Sequence, residues 1–331
     1  MGDVAMTVPV LRAFVKQHPS VKITFISRPF FKPFFETIPN VTFFAFDEKE
    51  RHKGFFGLIQ LFRDIKKLDI DAFADLHNVL RSKIVRSLFA LSGKKIAFVD
   101  KGRAEKKALT RFENKIFKQL PTMFERHVKV FNQLGFSVDL SNPIFLFKQN
   151  LDSDCADLLG TNYKKLIGIA PFAQYDSKVY PLDLLQEVID QLAENLNNKI
   201  LLFGGGKNEI EQLQILSKDK ENVICIAGKV QFKQELRLIS NLDVMVSMDS
   251  GNAHLAAMQG VKVITLWGAT HPFAGFSPFN QLFENALVSD SKQFPYLPTS
   301  VYGNKKVEGY EDVMRTILPE IVVEKIKSAL K

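Results

Sequence analysis

The sequence predicts an α/β protein built from two doubly wound domains. Short β-branched and aromatic runs alternate with stretches of helical period along almost all 331 residues, the pattern of parallel strands covered by helices. Each half holds enough strand–helix units for a sheet of its own. The composition, 46% apolar and 24% charged, is ordinary for a globular chain and excludes wholesale disorder.

In the first half the strand candidates are Val21–Ile26, Val41–Phe46, Ile70–Leu76 and Lys95–Val99. Helical stretches cover Phe55–Lys67, Val79–Leu91 and Met123–Leu134. Helical period starts almost at Met1, with Val4–Lys16 reading as helix although Pro9 lies inside it. Doubly wound domains ordinarily open on a central strand, so the first domain is expected to lack its first strand. In the second half the strands are Lys165–Ala170, Lys199–Phe203, Val223–Ala227, Val244–Ser247 and Val261–Leu266. The helices among them are Leu182–Asn195, Glu209–Ser217, Gln231–Ser240 and Asn252–Gln259. The join falls near Lys148–Asp152, giving domains of 1–150 and 151–331, with the last helix free to pack back on the first.

The formal charge of +8 is unevenly spread. Residues 1–150 carry 26 Lys/Arg against 14 Asp/Glu, and residues 151–331 carry 18 against 22. The first half is therefore expected to meet something acidic. Nucleic acid is disfavoured, because Lys outnumbers Arg 33 to 11 and no zinc-finger or aromatic ribonucleoprotein motif is present. No apolar run approaches the ~18 residues of a membrane span, and Asp3 near the start argues against a signal peptide. Two cysteines, Cys155 and Cys225, suggest neither a disulfide framework nor a metal cluster, which points to a cytoplasmic protein.

Four segments carry the chemistry. In Val244–Thr270 a buried strand runs into Asp249-Ser250-Gly251, where a helix begins. Amides at that helix start, with Ser250 as hydroxyl donor, suit a diphosphate at the carboxyl end of the sheet; an ordinary helix cap fits the same residues. Gly268-Ala269-Thr270 ends the next strand and flanks the same crevice. His254 is either a ligand contact or a packed histidine. Leu201–Glu209 places three glycines after a strand, with Gly205 open to close approach and Glu209 able to accept from sugar hydroxyls or to serve its own helix start. In Ala170–Pro181, Lys178 follows a strand, where an ammonium can neutralise a departing phosphate. Finally, Asp3 stands before the first helix, as a cap or as a general base.

Together these segments resemble glycosyltransferase family 9, the ADP-heptose:lipopolysaccharide heptosyltransferases. The family's opening G-D-x-x-x-T-x-P-x-L matches Gly2-Asp3 through Leu11, and its D-L-x-x-x-x-R-S matches Asp75-Leu76 through Arg81-Ser82. Its Lys before an aromatic–Pro pair matches Lys178-Val179-Tyr180-Pro181, and its glycine turn followed by Glu matches Gly204–Glu209. The most specific pattern, D-[ST]-G-x-x-H-x-A-A-x-x-G, matches Asp249 to Gly260 at every fixed position. Three departures stand out: the absent first strand, Gly268-Ala269-Thr270 in place of G-P-T, and no cysteine within Phe294–Glu311.

The resemblance implies a GT-B fold, two Rossmann-like domains facing a central cleft. It also implies inverting transfer of heptose or a related sugar from an ADP-sugar to a lipopolysaccharide core or similar anionic glycolipid. Asp3 would be the base and Lys178 the leaving-group cation. Gly205, Glu209, Asp249, Ser250, Gly251, His254 and Thr270 would hold the donor. Arg81, Lys83 and Arg103 would face the acceptor. The stretch Lys94–Lys118, with nine Lys/Arg against three acids, would contact the acceptor or the inner face of the inner membrane. Neither metal nor cofactor is expected. A non-catalytic sugar-nucleotide binder and a GT-B-type epimerase remain the alternatives.

Overall fold

The computed structural model describes residues 1–145 and 148–331, which divide into two compact units. The first comprises Met1, Asp3–Arg103 and Pro121–Ile144; the second takes Gly2, Ala104–Leu120 and Phe145–Lys331. Ala104–Leu120, assigned to the first domain by sequence order, is thus grouped with the second unit.

In the first unit, α1 (Gly2–Ala5) and α2 (Thr7–Gln17) replace the single helix expected over Val4–Lys16. The break at Met6 puts Pro9 in the first turn of α2, where its missing N–H has no intrahelical partner to lose. Every residue from Thr7 to Val15 is buried, so α2 serves as core on all sides. Strands β1 (Ile23–Ser27) and β2 (Val41–Ala45) form one parallel pair. After α3 (Gly54–Lys66), β3 (Ala72–Asp75) pairs in parallel with β4 (Lys95–Phe98) across α4 (Leu80–Leu91). Leu58, Leu61 and Ile65 of α3 pack with Val85 and Phe89 of α4 over these strands. Among the described residues no strand joins the two pairs. The short, strongly basic α5 (Arg103–Thr110) escaped the periodicity reading; α6 (Met123–Gln133) then begins on a Thr122–Glu125 capping box.

After α6 the second unit continues with α7 (Ser153–Leu159), capped by the Asp152 carboxylate on the Cys155 N–H. It then alternates β5 (Lys165–Ala170), α8 (Leu182–Ala193), β6 (Asn198–Leu202), α9 (Lys207–Leu216), β7 (Val223–Cys225), α10 (Phe232–Asn241), β8 (Val244–Met248), α11 (Gly251–Met258), β9 (Lys262–Trp267) and β10 (Ala286–Val288). The six strands are parallel in the order β10-β9-β8-β5-β6-β7. This is the dinucleotide-fold order, and its switch point lies between β5 and β8. The sheet interior is almost wholly apolar, as expected of strands covered on both faces.

The final helix, α12 (Pro319–Ala329), buries Val322, Val323 and Ile326 in this unit's own core beside Leu185, Val188 and Ile189 of α8. The sequence allowed it to pack back on the first domain; its apolar face is instead taken up here. Among the described residues no helix is long and apolar enough to cross a membrane. Ile326→Ala is expected to cost about 2–5 kcal/mol, read as a lowered denaturant midpoint for the second unit.

Candidate active site

The switch point concentrates the second unit's polar groups. Asp249 follows β8 and is only 8% exposed, so its carboxylate needs partners. Two arrive from other strand ends. Lys178, in a turn of 3-10 helix after β5, donates from Nζ to the Asp249 carbonyl and to its Oδ2 at 3.3 Å. Thr270, beyond β9, donates from Oγ1 to the same Oδ2 at 2.9 Å. The one hydroxyl proton of Thr270 is thereby spent on Asp249, so in this arrangement Thr270 orients the carboxylate. Lys178 has three donors and uses two.

The lysine stem runs through a channel of backbone. The Ser177 carbonyl accepts the Ala269 N–H, and Gly268 lies so close to it that a Cβ there would collide. On the other side Gly303, at φ +84°, abuts Lys178: a Cβ would come within 2.7 Å of Cγ and 2.8 Å of Cδ. Ser177 Oγ donates to the Gly303 carbonyl at 2.7 Å. Tyr180 anchors the same loop, with its hydroxyl donating to the Ile317 carbonyl at 2.7 Å ahead of α12. The aromatic residue of the lysine motif is therefore a structural pin. Ser177 and Gly303 were not singled out from the sequence. The turn-rich run Thr299-Ser300-Val301-Tyr302-Gly303 was the available signal.

Ser250 is the N-cap position of α11, and Gly251 is its first residue. The Ser250 hydroxyl lies 3.1 Å from that of Ser247 and makes no cap hydrogen bond. The amides of Gly251 and Asn252 stand at the helix start with its positive end. His254 sits inside α11, 6% exposed. Glu209 and Gly205 form a separate pair, the Gly205 N–H donating to Glu209 Oε2 at 2.7 Å. In this arrangement the carboxylate serves the start of its own helix. The structure thus joins Lys178, Asp249 and Thr270 directly, and places Gly205 and Glu209 after β6, two strands from β8 in the sheet order.

In the first unit, Asp3 lies in the first turn of α1 with its side chain 64% exposed, 3.5 Å from His77 Nε2. The hydrogen bond from His77 is the main cause that pulls the Asp3 carboxyl down to about 2; the charges of His77, Lys101 and the N-terminus add to it, against desolvation. His77, another residue not singled out from the sequence, is held by a turn after β3. Asp75, 3% exposed, accepts the N–H groups of His77 and Asn78, and Arg86 of α4 neutralises it at 3.0 Å. Asn78 adopts φ +47° and donates to the Val99 carbonyl. Buried His127 of α6 faces the backbone of Met6 and Leu76, and burial lowers it to about 4.

Of the residues expected to face an acceptor, Arg81 is tied to Glu48 at 2.7 Å and lies over the Phe46 ring, while Lys83 and Arg103 are exposed.

Two expectations follow. Gly303→Ala should lower turnover sharply, whereas Gly309→Ala, with a similar φ of +77° but nothing within 4 Å, should not. Equal thermal shifts with unequal turnover would mark the Lys178 channel as the cause. His77→Ala removes the largest downward influence on Asp3, so that carboxyl should rise toward 3.8. The ionised form would then be lost at a higher pH, as read by carboxyl NMR titration.

The family model for glycosyltransferase family 9 (heptosyltransferase) matches residues 58–296. The lipopolysaccharide core heptosyltransferase OpsX of Haemophilus influenzae is 27% identical, the alignment covering 100% of this chain and 93% of that protein. A lipooligosaccharide heptosyltransferase 2 of Campylobacter jejuni is 25% identical over 100% of this chain and 96% of its own length. Among solved structures, the family 9 glycosyltransferase of Veillonella parvula superposes with a TM-score of 0.73 at 21% identity, covering 99% of this chain and 94% of that one. The E. coli heptosyltransferase WaaC with ADP gives 0.67 at 20%, covering 99% and 96%. These neighbours carry the GT-B fold, and the alternating parallel architecture described above agrees with it. The chain belongs to glycosyltransferase family 9, the heptosyltransferases.

Proposed function

We propose that the protein moves a heptose from an ADP-sugar to a lipopolysaccharide core or similar anionic glycolipid, with inversion at the anomeric carbon. The observation that carries this is the convergence of Lys178, Asp249 and Thr270 from three strand ends beside the start of α11. That is where a doubly wound sheet offers a diphosphate both a cation and unpaired amides. ADP as the nucleotide is supported by WaaC, whose structure contains it.

In this reading the acceptor hydroxyl attacks the anomeric carbon from the face opposite the diphosphate. The new C–O bond forms as the bond to the phosphate oxygen breaks, through an oxocarbenium-like state. Asp3, ionised at neutral pH, takes the acceptor proton. The third N–H of Lys178 and the Gly251 and Asn252 amides meet the charge that builds on the departing ADP. Asp249 holds the lysine in place, and Thr270 holds Asp249. Arg81, Lys83 and Arg103 supply positive charge toward the acceptor.

Asp3→Asn should abolish transfer while an ADP-induced thermal shift stays near normal; transfer at the wild-type rate would reduce Asp3 to a first-turn residue. For Lys178→Ala both quantities should change, with turnover down ~10²–10³-fold, as for loss of one preorganised donor, and a weaker ADP shift.

A further inference from the structure

We propose that Lys115 is a positioning residue for Lys178, acting through the loop 296–303 that walls the lysine stem. The segment that leaves α5 runs on as an irregular strap, grouped with the second unit. From Arg111 to Gln119 every residue of it is exposed except Lys115, which turns inward. Its Nζ donates to the Tyr296 carbonyl at 2.5 Å and to the Pro298 carbonyl at 3.0 Å. Desolvation lowers the Lys115 pKa, and no carboxylate acts against that. An ammonium drawn out of water without an acid is costly, so these two carbonyls must compensate it. A head group with three donors can bracket both of them at once, which neither an apolar anchor nor an ordinary ion pair would do.

The bracketed carbonyls stand on either side of Leu297, whose side chain belongs to the second unit's core. From there the loop is fastened step by step to the Lys178 site. The N–H groups of Thr299 and Ser300 both donate to the Ala269 carbonyl, at 3.0 and 3.2 Å, and the Ala269 N–H donates to the Ser177 carbonyl at 3.0 Å. Ser300 Oγ accepts the Gly303 N–H at 2.9 Å, which closes the turn that sets Gly303 against the Lys178 stem. Ser177 Oγ then donates to the Gly303 carbonyl. Thr299 and Ser300 are each 1% exposed, so a shift at Tyr296–Pro298 has little room to be absorbed before it reaches Gly303. The Lys115 charge is felt on the same side of the sheet. Burial, with that charge adding to it, holds His271, the residue after Thr270, down to about 4. The inference rests on the proposed leaving-group role of Lys178 for its effect on turnover, and on the hydrogen bonds alone for the placing of the loop.

Lys115→Met keeps the stem and removes the donors. Turnover in the proposed transfer should fall roughly ten- to a hundredfold, as for a small misplacement of a reacting group. Lys115→Arg, which keeps a charged donor, should regain most of the loss, and Lys292→Met, which removes an exposed charge of the same unit, should leave turnover unchanged. In a Lys178→Ala background the Lys115→Met change should cost less than about twofold, because a residue that acts through another then has nothing to position. Wild-type turnover in Lys115→Met, or equal losses in both backgrounds, overturns the proposal. Hydrogen exchange read by mass spectrometry needs no substrate. In Lys115→Met, peptides spanning Ser177–Tyr180 and Thr299–Gly303 should exchange faster, and those of β6 as slowly as in the unmodified chain. Acceleration throughout the unit, or none at Ser177–Tyr180, also overturns it. If the unmodified chain transfers no sugar, the proposed reaction fails, and the exchange pattern by itself decides the role of Lys115.

Discussion

A carboxylate withdrawn from water must be compensated, and the second unit's site is arranged around that requirement. Asp249 is almost fully buried at the end of β8, and Lys178 and Thr270 are the groups that meet it. Leaving such a carboxylate unpaired would be far more costly than the net worth of the pair. The ammonium is therefore held where a phosphate can use its remaining proton, without a basic surface around it. A cation is thereby held inside a half of the chain with an excess of acid. Gly303 follows from the same requirement, because a Cβ there would meet the lysine stem, whereas Gly268 makes room for the Ser177 carbonyl and Met314.

The first unit solves a related problem with different parts. Asp75 is buried as well, but its partners are two amides of the following turn and Arg86, so its role is to shape a loop. That loop presents His77 to Asp3. In the first unit, then, a buried acid sets the geometry of the loop that brings His77 to an exposed one. In the second, a buried acid sets the position of a cation.

Much of this was legible in the sequence, for physical reasons. The second unit's central strands are covered on both faces, so their apolar runs are nearly continuous and their limits fell within one or two residues; the short edge strand β10 was not among those expected. Asp249-Ser250-Gly251 and Lys178 were legible because turns at strand ends draw on a small set of residue types. What escaped depends on tertiary neighbours. The place of α5 and its strap with the second unit follows from anchors such as Lys106 on Phe276, which leave no periodic signature. Likewise, the spending of Thr270's proton on Asp249, and of Gly205's amide on Glu209, is decided by distance and not by residue type. His77 passed unnoticed because nothing local distinguishes an exposed histidine in a turn from any other polar loop residue.

The hydrogen bond from Tyr180 to the Ile317 carbonyl ties the Lys178 loop to the far end of the chain. Terminal helices are ordinarily where a fold frays first. Here the residue two positions after Lys178 is fastened to the segment that leads into α12, and α12 is itself part of the sheet's core. The lysine loop and the C-terminal helix therefore belong to one cooperative unit, opening together in local unfolding. The placing of Lys178 is underwritten by core side chains as remote from it in the chain as Val322 and Ile326.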